Sequence, residues 1–303
     1  MTLKQSLVMM DSGVELVRNQ PEQTYRAHPA LNQSSLKKIL ESPQAYWDAI
    51  HNPMKTTPAM TVGSALHTLL LQGRFEFEVE WFVLDEGLTG HSKAYKDAKK
   101  AEKETGMRVL THPQYELVEQ MFHAMKPTVW FNVPEDDVVR FSNYRRQNEL
   151  TFYWRWHGQD CKARIDRLIE FPDKILVIDV KTTYDCSPDS FPSSVIKFGY
   201  DFQERYYTYP VEQYFKKPVE FLFVVVERGT GKFQTYYTDV KMKEEAKKQV
   251  DFALQEVARC TEEQDWGRLL APARELTYPH DYVSPLKIHD NSTPYDPLDA
   301  WFD

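Results

Sequence analysis

Apolar residues along this chain recur first at helical spacing, then at every second position, then at helical spacing again. Around Leu36, Ile39 and Leu40 the polar run Asn32 to Ser35 supplies a helix cap, and Pro43 breaks or restarts the helix. Met60 to Gln72 predicts a compact buried helix, because Leu66, Leu69 and Leu70 share a face while Gly63, Ser64 and Ala65 permit close packing. Two more helices are expected near 91–105 and 113–126. The period then changes. Glu149 to Trp156 alternates as a strand does, and the runs 161–171 and 174–183 follow, separated by Pro172 and Asp173, which suit a tight hairpin. Gln203 to Lys217 reads as a helix with a kink or restart at Pro210. The run 219–227 is a strongly apolar strand that RGTGK turns back into 233–239. An amphipathic helix over about 241–262 carries Met242, Ala246, Val250, Ala253, Leu254 and Val257 on one face. Residues 1–30 hold few periodic positions and read as an irregular lead-in, whereas Pro, Asp, Ser and Asn predict a flexible tail over 284–303. One α/β domain over 31–283 is the expectation.

The hairpin fixes a register. If Pro172 and Asp173 form its loop, Phe171 pairs with Lys174, and counting back sets Asp166 opposite Asp179 and Arg164 opposite Lys181. Directly opposed carboxylates are destabilising unless a positive charge sits between them, and a divalent cation is the natural candidate. Lys181 lies two residues beyond Asp179, so the strand's period of two turns its ammonium to the same face. Carboxylate oxygens of this kind suit magnesium, for which manganese can substitute. Such an ion could polarise a phosphoryl oxygen and activate water, with Lys181 steadying the developing charge. Phosphodiester hydrolysis is the chemistry these residues suggest.

Composition narrows the setting. With 42% hydrophobic and 27% charged residues the chain is ordinary for a globular protein. A net charge of −8 argues against a wholly nucleic-acid-binding surface, so any DNA contact must lie in a local basic groove. Cys161, Cys186 and Cys260 are too few and too scattered for a disulfide framework or a four-thiolate metal site, in keeping with a reducing compartment. No apolar stretch approaches the ~20 residues of a membrane span, and the N-terminus lacks a signal peptide's pattern. A cytoplasmic protein without membrane contact is expected.

The run ARIDRLIEFPDKILVIDVKTT resembles the core of the PD-(D/E)XK nuclease superfamily, where an Asp precedes a D-x-K strand. GSALH at 63–67 is similar to the helical histidine motif of its recombination-nuclease branch, and Gln203 to Tyr207 to that branch's Q-x-x-x-Y helix. The segment NQSSLKKILESPQAYW and the surroundings of Trp266 resemble phage and prophage proteins of the exonuclease VIII (RecE) type, so the likeness spans about residues 30–283. It implies a restriction-endonuclease-like α/β core, a central mixed sheet flanked by helices. His67, Asp166, Asp179 and the carbonyl of Val180 would bind metal, and Lys181 would serve the water or the scissile phosphate. Gln203 and Tyr207 would support the site or contact DNA, and Glu149 is the candidate for an upstream acid. The likeness further implies 5′→3′ digestion of linear double-stranded DNA, leaving 3′ single strands for homologous recombination. A single-strand annealing protein is the implied partner, and a ring-shaped homo-oligomer the possible assembly.

Two rival readings share these motifs: a structure-specific endonuclease of the same fold, and a non-catalytic DNA-binding or assembly module. Arg164, Arg167 and Arg205 are candidates for DNA phosphates, though arginines on such elements commonly form structural ion pairs. Ser34, Ser35, Lys37 and Lys38 stand at a helix start, where backbone N–H groups suit a phosphate and capping is the simpler role. In the tail, Leu298, Trp301 and Phe302 among acidic residues suggest a docking peptide.

Overall fold

The computed structural model describes residues 8–9, 13–52, 55–128 and 145–267. The chain divides into a unit Met1–Arg268 and a stretch Leu269–Asp303, and the latter, with the proposed docking peptide, lies outside the described residues. The described strands are β1 (Val8–Met9), β2 (Glu15–Val17), β3 (Trp81–Val83), β4 (Arg108–Leu110), β5 (Arg145–Trp156), β6 (Gln159–Glu170), β7 (Ile175–Thr183), β8 (Val219–Glu227) and β9 (Phe233–Tyr236). The helices are α1 (Glu22–Ala27), α2 (Gln33–Leu36), α3 (Pro43–His51), α4 (Pro58–His67), α5 (Arg74–Glu80), α6 (Lys93–Thr105), α7 (His112–Met125), α8 (Phe191–Phe198), α9 (Tyr200–Phe215) and α10 (Val240–Glu263).

Seven strands form one mixed sheet in the order β1-β2-β5-β6-β7-β8-β9, antiparallel except for the parallel pair β7–β8. A parallel pair needs a crossover, and α8 and α9 supply it. Because strand residues alternate, β7 and β8 feed two cores. Ile175, Val177, Phe221, Phe223 and Val225 face α9 and α10, where they meet Phe202, Tyr206, Val250 and Leu254. Ile178, Val180, Leu222, Val224 and Val226 face α4 and α7, where they meet Leu66, Leu69, Val118 and Met121. With both faces covered, these strands lose their polar side, which is why their sequences read as nearly unbroken apolar runs.

Several elements differ from expectation. The lead-in contains β2 and α1, whose three and six residues are too short to show a period. Val14 and Leu16 are nonetheless buried, and β2 pairs with β5. The helix expected over 60–72 is α4 followed by a π-helical turn, Thr68–Gln72, in which the Gly73 amide donates to the Thr68 carbonyl. Pro210 lies buried within α9 without ending it. Strand β9 stops at Tyr236 because the next residues serve α10: Asp239 caps it through the Met242 amide, and the Thr238 hydroxyl donates to Glu204. Trp266 stacks on Tyr46, with ring centroids 5.4 Å apart, which brings the two peripheral motifs together.

Glu204 is 4% exposed, and burial raises its pKa despite Thr238 and Lys243. A carboxyl whose folded pKa lies above its unfolded value costs stability once the pH exceeds the unfolded pKa, and costs nothing below it. Glu204→Gln, which keeps an acceptor for Thr238, is therefore expected to raise Tm at pH 8 and to change it little at pH 4. Equal shifts at both values in thermal melts would show that burial of charge is not the cause.

Candidate active site

The β5–β6 hairpin turns at His157 and Gly158, whose φ values of +47° and +76° match the left-handed pair a two-residue loop requires. Its ladder is continuous except at one step. Asn148 pairs with Arg167 and Leu150 with Ile165, so Glu149 and Asp166 lie opposite each other between them while forming no ladder pair. Glu149 carries a φ of +52°, a backbone state that costs a non-glycine residue energy and that concentrates at functional sites. Alternation along β6 slips at the same step: Cys161, Ala163 and Ile165 face the core under α9, and so does Leu168.

Between β6 and β7 the register is the one the hairpin dictates, from Glu170 opposite Ile175 to Arg167 opposite Ile178. It stops there. The expectation that Asp166 opposes Asp179 and Arg164 opposes Lys181 is therefore corrected. Beyond Ile178, β7 follows its parallel partner β8 as far as Thr183, while β6 stays with β5, where Arg164 pairs with Thr151. The two strands fork, and side chains occupy the opening. The Val180 amide donates to Asp166 Oδ2 at 2.8 Å, and His67 Nε2 lies 3.0 Å from the Val180 carbonyl oxygen. His67 Nδ1 stands 3.6 Å from Asp166 Oδ1.

His67, Glu149 and Asp166 offer ligand atoms that all lie within 4.8 Å of one another. Burial pushes the Glu149 carboxyl up to about 7, with Asp166 adding to the rise and Arg164 opposing it. Two half-buried carboxylates thus share a site beside an imidazole and a main-chain carbonyl, a donor set that fits a hard divalent cation such as magnesium or manganese. The cluster differs from the expected ligand set in one member, with Glu149 standing where Asp179 was expected.

Asp179 and Lys181 do share a face, as the period of two requires, and it is the face toward α9. Gln203 Nε2 donates to Asp179 Oδ1 at 2.5 Å, Lys181 Nζ donates to Gln203 Oε1 at 2.9 Å, and Lys181 Nζ lies 2.6 Å from Asp179 Oδ2. Burial raises the Asp179 carboxyl and Lys181 opposes that rise. Burial likewise disfavours the Lys181 charge, yet Asp179, Tyr200 and Asp166 leave the ammonium favoured. The Gln203 donor on one carboxylate oxygen and the Lys181 ammonium against the other support the ionised pair. Lys181 Nζ also sits 4.7 Å from the Tyr200 ring centroid.

Around the His67–Glu149–Asp166 cluster lies a cleft of about 870 Å³ whose walls also include Arg164, Tyr207 and Ser35, whereas Asp179, Lys181 and Gln203 lie behind its lining. Burial lifts the Tyr207 phenol well above its usual range. The other candidates are placed differently. Arg164 is ion-paired with Glu149, and Arg205 lies outside the cleft lining, 3.2 Å from Glu212 and over the rings of Trp156 and Tyr209. Arg205 is thus engaged in packing. Lys38 pairs with Glu41, the Ser35 amide is taken by the side chain of Asn32, and Arg167 is buried. Glu22 and Arg108, which sequence reasoning missed, join the cleft wall 3.5 Å apart. Tyr200 was missed too, although its place three residues before Gln203 on one helix face was a usable signal.

Residues 32–269 match the model of the "PDDEXK-like domain of unknown function (DUF3799)". The chain belongs to this family. Its fold is that of the PD-(D/E)XK superfamily, a mixed sheet flanked by helices. Among solved structures, a "Putative exonuclease" from Eubacterium rectale is similar at a TM-score of 0.54 and 15% identity, over 86% of this chain and 96% of that one. Protein VC1899 from Vibrio cholerae matches at a TM-score of 0.27 and 9% identity, over 83% and 59% of the two chains. No match is found among curated proteins. No helix among the described residues of this PDDEXK-like chain is long and apolar enough to cross a membrane.

Proposed function

We propose that this chain is a metal-dependent deoxyribonuclease that digests linear double-stranded DNA from its ends. The carrying observation is the fork between β6 and β7: Asp166 and His67 meet at the Val180 main chain beside Glu149, with Lys181 held by Asp179 and Gln203 behind them. Membership of the PDDEXK-like family and the fold shared with the Eubacterium rectale protein support a nuclease.

His67, Glu149, Asp166 and the Val180 carbonyl are the groups that would hold the ion. When bound, a divalent cation supplies Lewis acidity toward a phosphoryl oxygen and water. Gln203 fixes Lys181 and Asp179 relative to each other, so the ammonium needs no reorganisation to steady charge on a phosphate oxygen. Arg164 offsets the Glu149 charge, and Tyr207 closes the wall toward α9.

The finer reading follows the sequence likeness to exonuclease VIII: 5′→3′ polarity, 3′ single-stranded products for recombination, and association with a single-strand annealing protein, by a ring of like subunits in the cytoplasm. Linear duplex labelled separately at each end tests it. Magnesium-dependent early release of the 5′ label, with closed circular DNA left intact, is expected. Cleavage of the closed circle would make the protein an endonuclease, and DNA binding without any hydrolysis would make it a non-catalytic module.

A further inference from the structure

The elbow between α8 and α9 is touched from two sides by lysines. Lys37 Nζ donates to the Phe198 carbonyl oxygen at 2.5 Å, and Lys181 Nζ lies against the Tyr200 ring. Gly199, with a φ of +60°, makes the bend, and a Cβ there would sit 3.4 Å from the Lys37 side chain. The Phe198 and Tyr200 rings lie 5.7 Å apart at 31°, and Lys197 Nζ is 5.4 Å from the Phe198 ring centroid. A strip of two rings flanked by cations therefore leads outward from Lys181.

Two features of the strip ask for an anionic partner. Among the described residues, Lys37 and Lys197 make no ion pair, although the chain as a whole carries a net charge of −8. Burial and the neighbouring charges of Lys181 and Lys38 push the Lys37 pKa down to about 8, against the opposing pull of Glu41 and Asp201, while Glu41 and Asp179 are themselves paired with Lys38 and Lys181. Phe198 and Ile196, beside them, are 45% and 78% exposed. Backbone phosphates neutralised by lysines, with bases laid on aromatic faces, are the general means of holding a single nucleic-acid strand.

We propose that this elbow binds one DNA strand, with Lys37 taking a phosphate next to the one Lys181 serves and Phe198 stacking against a base. The inference rests on the nuclease reading for the role of Lys181, whereas strand binding is measurable without hydrolysis. A purely structural Lys37 would only pin the elbow through Phe198.

The test is equilibrium binding of a short fluorescein-labelled single-stranded oligonucleotide to the full chain in EDTA, over a series of salt concentrations. Each neutralised phosphate contributes about 0.7 to the slope of log affinity against log salt for single strands. Lys37→Ala should lower that slope by about 0.7, and Lys37→Arg should restore it. Lys248→Ala, on the exposed face of α10, should leave it unchanged. Phe198→Ala should weaken binding about tenfold and Phe198→Tyr should not. A slope in Lys37→Ala equal to that of the parent, or no binding by a folded parent, overturns the proposal. Hydrolysis measured in parallel separates the two ideas: an altered slope without any cleavage leaves the strand site standing and sinks the nuclease, and cleavage with an unaltered slope does the reverse.

Discussion

Lys181→Ala is expected to lower phosphodiester hydrolysis by about 10²–10³-fold, the usual cost of removing one preorganised electrostatic donor. Lys181 is buried to 16% side-chain exposure and held by Asp179 and Gln203, so its position is set before substrate arrives. The loss should therefore fall on kcat, with KM for DNA little changed. The substitution also has a structural consequence that the motif alone does not announce. It leaves Asp179, 2% exposed, with Gln203 as its remaining donor, and breaking a buried pair in this way commonly costs ~3–5 kcal/mol. Asp179 can escape part of this by taking up a proton, since burial already raises its pKa. Lys181→Gln separates the effects, because an amide can still donate to Asp179 while lacking the charge. Turnover should fall comparably in both variants, with most of the stability kept in Lys181→Gln. Near-parental kcat in a folded Lys181→Gln protein would remove the lysine from the chemistry.

The hairpin was readable in the sequence because a two-residue loop leaves only one register, and four ladder pairs obey it. The fork was not readable. Counting residues assumes a straight ladder, and what ends this one is the pull of β8, a strand some 40 positions away whose parallel pairing extends through Thr183. The same reasoning that set Asp179 and Lys181 on one face succeeded because alternation within a strand is local. Glu149 was legible only as an acid near the right place. Its entry into the cluster depends on a positive φ that its residue type does not advertise, since such a state is the province of Gly and Asn. Arginine roles were the least legible: neither the strand that carries Arg164 nor the helix that carries Arg205 tells DNA binding from structural pairing, and only the fold reveals Glu149 beside one and Trp156 beside the other.

Magnesium is expected to raise the thermal midpoint of the parent protein by about 5–10 °C at a hundred times its dissociation constant. A ligand that binds only the folded state adds ~2.7 kcal/mol at that concentration, and each kcal/mol is worth ~2–4 °C in a domain of this size class. The effect should be large here because the site is costly when metal-free: Glu149 and Asp166 lie opposite each other at the gap in the β5–β6 ladder, and burial together with Asp166 raises the Glu149 carboxyl against Arg164. Asp166→Asn retains an oxygen to accept the Val180 amide, so it should fold normally in EDTA yet lose most of the magnesium shift. Glu149→Gln should behave likewise, and His67→Ala should lose a smaller part, since imidazole contributes no charge to a hard cation. Asp179→Asn decides between the ligand set of the sequence motif and that of the fork. A full shift leaves Asp179 as the counter-ion of Lys181, and a lost shift makes it a ligand that must exchange its Gln203 and Lys181 contacts for the ion. Identical magnesium shifts in the parent and in Asp166→Asn would place the ion elsewhere and dissolve the proposed centre.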